Sequence, residues 1–217
     1  MDPGSWSLPP EEIERRSFAI IDAEAPPHGW EPRPWSVIRR MIHTTGDFSW
    51  METTRMHPQA LESGLAALRA SRPILTDTRM AQAGLGKRRL ALWGSAVDCL
   101  VDDAAVAEAA RAQGVTRSLA AVDASLARMA GGVYVIGNAP TALFRLLEHV
   151  AAGRVRPALV VGLPVGFVNA VESKQALVEQ GQIPYITALG RKGGSAVAAS
   201  VINALAELAI QAEEKQP

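Results

Sequence analysis

Beyond residue 57 the chain alternates short apolar runs with longer segments of helical spacing. The short runs, at 73–76, 98–101, 133–136, 159–163 and 185–188, are largely apolar throughout, as in strands covered on both faces. The longer, alanine-rich segments predict helices at 58–70, 104–113, 118–129, 141–151, 169–179 and 195–209. Strands separated by such helices predict βαβ units, so the expected fold is α/β, with a mainly parallel sheet flanked by helices.

The N-terminal part of the chain has a different pattern, in which clustered prolines and tryptophans predict loops and short helices. A Pro-Glu-Glu sequence at 10–12 suits the start of a helix that ends near residue 24, before two prolines. A second helix is predicted at 35–41, with 43–47 as its end and exit. We expect one domain over residues 1–217, with residues 1–11 and 210–217 loosely ordered.

Composition and charge exclude several classes of protein. The chain has 22 Lys plus Arg and 22 Asp plus Glu, so it lacks the basic field that drives nucleic-acid binding. Its 48% of hydrophobic residues suffices for a substantial core. The single cysteine, Cys99, excludes an internal disulfide and a multi-cysteine metal site, and we expect it in the core of the second strand. With no signal sequence or membrane-spanning run recognised, a cytoplasmic location without membrane contact is expected.

The loops that follow the predicted strands hold the candidate chemistry, because ligands of open α/β sheets bind at the carboxyl ends of the strands. The loop at 190–195 is the best anion-site candidate, since it combines Arg, Lys, two glycines and a serine that begins a helix. Its ordinary alternative is a turn and helix cap with solvated cations. The loop at 137–141 fits a ligand site and a plain turn equally well. Further cations near these loops suggest a polyanionic ligand.

Neither a cofactor nor a metal is indicated by the motifs. The chain has no Walker A sequence, no dinucleotide-binding glycine pattern and no Gly-x-Ser-x-Gly elbow, which disfavours NAD, ATP and a nucleophilic serine. His28, His57 and His149 are expected to be surface or capping residues. His43 differs, because it lies at a helix-to-loop junction beside Thr44, where an imidazole could transfer a proton; a structural role is equally open at this point.

Eight separated motifs, in order and over residues 12–206, resemble those of the precorrin-8X methylmutase family. They stand at 16–18, 42–48, 74–80, 116–118, 136–143, 162–168, 172–174 and 191–195. The resemblance implies a flavodoxin-like fold, a homodimer, and an isomerase of cobalamin biosynthesis that moves a methyl group from ring carbon 11 to ring carbon 12 of a corrin precursor. It gives weak preference to a cobalt-containing substrate over a metal-free one.

The resemblance also implies the site residues. The catalytic histidine of the family aligns with His43. The candidate substrate-binding residues are Ser17, Thr44, Thr76, Arg79, Arg117, Asn138, Lys174, Arg191, Lys192, Gly193, Gly194 and Ser195. A methyl shift on a conjugated ring needs a proton, and it needs no redox cofactor or metal from the protein. The substrate carries many carboxylates, which suits loops that are rich in cations and backbone N–H groups.

Two alternatives from other classes remain. The chain could be a corrinoid carrier that binds the product without catalysis. It could also be an anion-binding α/β enzyme such as a phosphosugar isomerase, for which Asp77 is the available base.

Overall fold

The protein is described by a computed structural model over residues 7–214. Residues 1–6 and 215–217, which belong to the termini expected to be loosely ordered, lie outside the described part. The elements are, in chain order, α1 (Pro10–Glu24), α2 (Pro32–Thr45), α3 (Trp50–Thr53), β1 (Thr54–Met56), α4 (Ala60–Arg69), β2 (Ile74–Thr76), α5 (Arg79–Gly84), α6 (Lys87–Leu90), β3 (Val97–Asp98), α7 (Ala104–Gln113), α8 (Arg117–Ser125), β4 (Val133–Ile136), α9 (Pro140–Ala151), β5 (Leu159–Gly162), α10 (Ala170–Glu179), β6 (Tyr185–Ala188) and α11 (Ser195–Glu214). A 3₁₀ turn at Leu126–Arg128 continues α8.

The six strands form one sheet in the order β1-β6-β5-β4-β2-β3. All neighbouring pairs are parallel except β1 with β6, which is antiparallel. Counted among the parallel strands alone, the spatial order is second, first, third, fourth, fifth, which is the flavodoxin-like order. The predicted α/β class and the mainly parallel sheet flanked by helices are therefore confirmed.

Side chains of the central strands alternate between two cores, one on each face of the sheet. Val133 and Val135 of β4 point into the core that α2, α4 and α11 cover. Tyr134 and Ile136 of the same strand point into the core that α9 and α10 cover. Because each strand is buried on both faces, its sequence is continuously apolar and shows no alternation of polar residues.

Several elements differ from the prediction. The short helices α3, α5 and α6 and the edge strand β1 were not predicted, and α11 continues to Glu214. Strand β3 ends at Asp98, so the prediction that Cys99 lies within it was wrong, although the cysteine is buried. Helix α2 spans Pro32–Thr45, so His43 lies in its last turn and not in a following loop.

Helix α11 is long and apolar enough to cross a membrane by length and composition alone. Most of it is buried inside the protein, where Val201, Ile202 and Leu205 are inaccessible to solvent. Its apolar character is therefore explained by its place in the core, packed on α2, α4 and α5.

Candidate functional site

The reversal of strand order lies between β2 and β4, and a buried aspartate joins the loops that follow these two strands. The carboxylate of Asp77 accepts N–H hydrogen bonds from Gly137 at 2.9 Å and from Asn138 and Ala139 at 2.8 Å each. Burial raises the pKa of Asp77, while the three N–H donors oppose that rise. Because both oxygens are occupied by backbone, Asp77 holds the two loops together, which argues against its use as the base of a phosphosugar isomerase.

The loop between β6 and α11 packs directly on the loop that follows β5. A Cβ added to Gly193 would lie 2.2 Å from the carbonyl oxygen of Leu163 and 2.5 Å from that of Pro164. The N–H of Gly194 donates to the carbonyl of Leu163 at 2.9 Å. This close approach of two backbones is possible only because residue 193 has no side chain.

Helix α11 begins where the loops after β2, β4 and β6 meet. The hydroxyls of Ser195 and Thr78 lie 2.8 Å apart. A Cβ on Gly137 would lie 2.7 Å from the Cα of Ser195. The N-terminus of this long helix, with its unpaired backbone N–H groups, therefore opens at the carboxyl edge of the sheet, where it favours an anion.

Lys192 connects this edge to the end of α2. Its Nζ donates to Asp47 Oδ2 at 2.6 Å and to the Ser49 hydroxyl at 3.0 Å. The hydrogen bond from Lys192 is the main reason that the pKa of Asp47 lies below its ordinary value. Asp47 follows α2 and the left-handed Gly46, four residues beyond His43 along the chain, so this ion pair ties the histidine motif to the 190–195 loop.

His43 is exposed in the last turn of α2, and α1 supplies its immediate neighbour. The ring of Phe18 meets the imidazole edge to face, with 5.3 Å between centroids. Ser17, next to Phe18, donates its hydroxyl to the carbonyl of Ile13 at 2.8 Å, and Thr44 donates to the carbonyl of Arg40 at the same distance. The two helices therefore bring the predicted residues His43, Thr44 and Ser17 to one region.

Arg40 supports this region from below and was missed by the sequence reasoning. It is buried, stacks over Phe18 with 4.8 Å to the ring centroid, and pairs with Glu14. Burial raises the pKa of Glu14, but Arg40, with smaller contributions from Arg89 and His43, lowers it below the ordinary value overall. The spacing of Arg40 and Thr44 on one helix face was the available signal.

The remaining predicted cations have different environments. Arg79 is exposed and pairs with Asp102 at 3.0 Å. Arg191 lies over the ring of Phe167, 5.1 Å from its centroid. Arg117, the first residue of α8, is exposed and has no ion pair within residues 7–214. Lys174 is 0% exposed, and its Nζ donates to the carbonyl of Lys192 at 2.7 Å.

Two predicted polar residues differ in accessibility. Thr76 is 1% exposed, and its hydroxyl donates to the carbonyl of Thr78 at 3.1 Å. The side chain of Asn138 is exposed, while its backbone N–H is held by Asp77. Within residues 7–214 no group of three or more His, Cys, Asp or Glu side chains is placed to hold a metal ion.

His149 corrects another expectation. It is buried and not a surface histidine, since α8 packs against α9 and places Asp123 within hydrogen-bond distance of its Nε2, at 2.5 Å. Arg154 donates to Nδ1 at 2.6 Å, so Nε2 carries the proton that is donated to Asp123. This pair belongs to the packing of α8 on α9.

Comparison with known proteins extends the match over nearly the whole chain. The family model for precorrin-8X methylmutase matches residues 12–208. The cobalt-precorrin-8 methylmutase of Salmonella typhimurium is 47% identical over 202 residues, which cover 90% of this chain and 94% of that protein. The precorrin-8X methylmutase of Pseudomonas aeruginosa is 43% identical over 197 residues, with the same two coverages.

A solved structure gives the same result. The precorrin-8x methyl mutase of Thermus thermophilus superimposes with a TM-score of 0.87 at 44% identity, covering 93% of this chain and 97% of that one. With the family model matched from end to end of the sheet and relatives above 40% identity, the chain belongs to the precorrin-8X methylmutase family of isomerases.

Proposed function

We propose that this chain moves a methyl group from ring carbon 11 to ring carbon 12 of precorrin-8X or its cobalt form, giving hydrogenobyrinate or cobyrinate. Family membership supports the reaction. The observation that carries the mechanism is the position of His43: it is exposed, its ring has no hydrogen bond within residues 7–214, and it lies four residues before Asp47 of the Asp47–Lys192 ion pair. A free imidazole beside a cation-rich loop can deliver a proton to a polyanionic substrate.

His43 acts as a general acid in this proposal. It donates a proton to a ring nitrogen or the adjacent carbon, the methyl group migrates with its bonding electrons from carbon 11 to carbon 12, and loss of a proton restores the conjugated system. No proton, electron or atom is gained or lost overall. Acid–base help of this kind typically contributes about 10²- to 10⁴-fold to the rate.

The loops at the carboxyl edge bind the periphery of the substrate. Arg117, Arg191 and Lys192 supply charges for its carboxylates, with Ser17, Thr44 and Asn138 as neutral hydrogen-bonding groups. At the start of α11, Ser195 supplies a backbone N–H group, whereas the N–H of Gly194 is already donated to Leu163. Arg79 and Lys192 reach a substrate carboxylate only by exchanging their partners, Asp102 and Asp47. Direct contact is not proposed for Thr76 or Lys174, because both are buried.

An apolar loop at this edge fits the flat macrocycle and a second copy of the chain. Phe167 is 85% exposed and Val168 is 77% exposed, both in the loop between β5 and α10. Large side chains this exposed mark binding surfaces in soluble proteins. We propose that the enzyme is a homodimer, with this loop near the interface, and that it works in the cytoplasm.

The test follows conversion of metal-free and cobalt-loaded precursors in parallel by absorption spectroscopy. The variant His43→Asn should lose about 10²-fold or more of turnover while it still binds product. His57→Asn, at the opposite end of the sheet, is the matched control. The backbone N–H of His57 donates to the carbonyl of Tyr185, and its Nδ1 accepts from the backbone N–H of Gln59, which an Asn side chain can also do. Near-normal turnover by His43→Asn would remove the histidine from the mechanism.

The same assay separates the enzyme from a corrinoid carrier. If the chain were a carrier, both wild type and His43→Asn would bind added precursor and leave its absorption spectrum unchanged. The names of the relatives disfavour the carrier, since they are methylmutases.

A further inference from the structure

Lys174 is a charged side chain in a place where a hydrophobic residue would be expected. It projects from α10 beside Ser173 and Leu177 and is 0% exposed. Within residues 7–214 it has no carboxylate partner, and its one hydrogen bond runs from Nζ to the carbonyl oxygen of Lys192, 2.7 Å away. A buried ammonium group without a counterion is costly, and the hydrogen bond to the Lys192 carbonyl offsets part of that cost.

The carbonyl that Lys174 binds belongs to the peptide that links Lys192 to Gly193. In a planar trans peptide the C=O and the following N–H point in opposite directions, and no cis peptide occurs within the described residues. Because the Lys192 carbonyl points inward to Lys174, the N–H of Gly193 points away from the core. No acceptor within residues 7–214 takes this N–H.

The loop segment around the Lys192–Gly193 peptide is also held by contacts on its other side. The side chain of Lys192 leaves the loop toward Asp47 and Ser49, while Gly194 is tied to Leu163 by its N–H. The orientation of the Lys192–Gly193 peptide therefore depends on a contact below, from α10, and a contact above, from the segment that follows α2. Within residues 7–214, Lys174 is the residue that hydrogen-bonds to this peptide group itself.

We propose that Lys174 is a positioning residue that turns the Lys192–Gly193 peptide so that the Gly193 N–H faces a substrate carboxylate. It acts through the loop and does not touch the substrate. Positive charge on Nζ strengthens the hydrogen bond to the carbonyl and, through the polarised peptide, the donor at Gly193. This inference rests on the proposed function, since it assigns a role within the same site.

The variant Lys174→Met tests the role, because methionine keeps the length and apolar stem and removes the donor. Lys87→Met, at an exposed position of α6, is the matched control. We expect KM for the precursor to rise about tenfold or more, as for loss of a charge-assisted hydrogen bond, with a smaller change in kcat. A Lys174→Met enzyme with the KM of Lys87→Met would overturn the proposal.

A second measurement observes the amide directly. In protein labelled with ¹⁵N-glycine, the Gly193 amide resonance should shift when hydrogenobyrinate or cobyrinate is added to wild type, and this shift should be lost in Lys174→Met. The free proteins should already differ at this resonance, which tests the orientation even if wild type converts no precursor. A wild-type enzyme that converts no precursor would count against the proposed function, but it would leave the proposed positioning of the peptide standing.

If Lys174→Met does not fold, the wild-type enzyme still decides the question. A crystal structure with bound product should show the Gly193 nitrogen within hydrogen-bond distance of a product carboxylate and Lys174 Nζ still on the Lys192 carbonyl. Contact between Nζ and the product would make Lys174 a direct ligand and refute the proposal.

Discussion

Asp77 offers a sharp test of how the loops of the site are held together, through the variant Asp77→Asn. In the wild type Oδ2 accepts from Asn138 and Ala139, and Oδ1 accepts from Gly137. The asparagine keeps the shape of the side chain, but its amide has one oxygen. With that oxygen in the place of Oδ2, the NH₂ group faces the N–H of Gly137, so two donors meet in a buried site.

The magnitude follows from these three contacts. Losing the Gly137 bond and leaving its N–H unsatisfied costs about 1–3 kcal/mol, and weakening two charge-assisted bonds to neutral ones costs about 1 kcal/mol each. The neutral asparagine also avoids the cost of burying a charged carboxylate, which offsets part of this loss. We expect a net loss of about 3 kcal/mol in the free energy of unfolding. For a chain of this size that corresponds to a fall in Tm of roughly 6–12 °C.

Thermal and urea unfolding, followed by circular dichroism, measure this loss. The control is Asp103→Asn, because Asp103 caps α7 through the N–H groups of Ala105 and Val106, and Asn caps a helix as well as Asp does. If Asp77→Asn is as stable as wild type, the carboxyl group is neutral in the folded protein. The rise in the pKa of Asp77 that burial causes would then be large enough to keep the group protonated at the pH of the measurement.

Three further predictions concern the edge of the sheet. In a fluorescence titration with product, the variant Gly193→Ala should lose affinity by about tenfold or more, since its Cβ collides with two backbone carbonyls. The control Gly29→Ala has open space around the added Cβ and should bind product as wild type does. Burial lowers the pKa of Lys174 to about 8, so the folded protein releases this proton before the unfolded chain does. Its stability should therefore rise, by at most about 3 kcal/mol, as the pH goes from 8 to about 10.5, and urea unfolding of Lys174→Met should lack this rise. The exposed Arg117→Glu should weaken product binding with a loss that shrinks at high salt, and equal affinity at all salt concentrations would make Arg117 a plain surface charge.

Much of the fold could be predicted because the central strands carry a strong signal. The strand at 133–136 was located to the residue, since both of its faces are buried and all four side chains are hydrophobic. The edge strand β1 escaped prediction because only Thr54 of its three residues is buried and its place depends on backbone pairing with β6. A short segment of this kind has no side-chain pattern of its own.

Some features of the candidate site could be predicted from the sequence, and others could not. The sequence indicated the 190–195 loop by its glycines, cations and serine, and His43 by its motif, because these properties are local. It could not show that Lys174 is buried or that Asp77 binds the backbone 60 residues further along, because such contacts arise only when strands distant in sequence become neighbours. His149 was misjudged for the same reason, since its partner Asp123 lies on another helix.

The α/β class, the order of the five parallel strands and the longer helices between them, and the loops that carry cations and glycines follow from the sequence. Periodicity, helix caps and turn residues are read within a few positions of each other, so a sequence suffices for them. The tertiary structure alone decided which polar groups face outward and which hold the loops. Because β2 pairs with β4, Asp77 after β2 binds the backbone of the loop after β4. The packing of α10 brings Lys174 to the carbonyl of Lys192. Burial and long-range hydrogen bonding, which depend on the whole fold, set those roles.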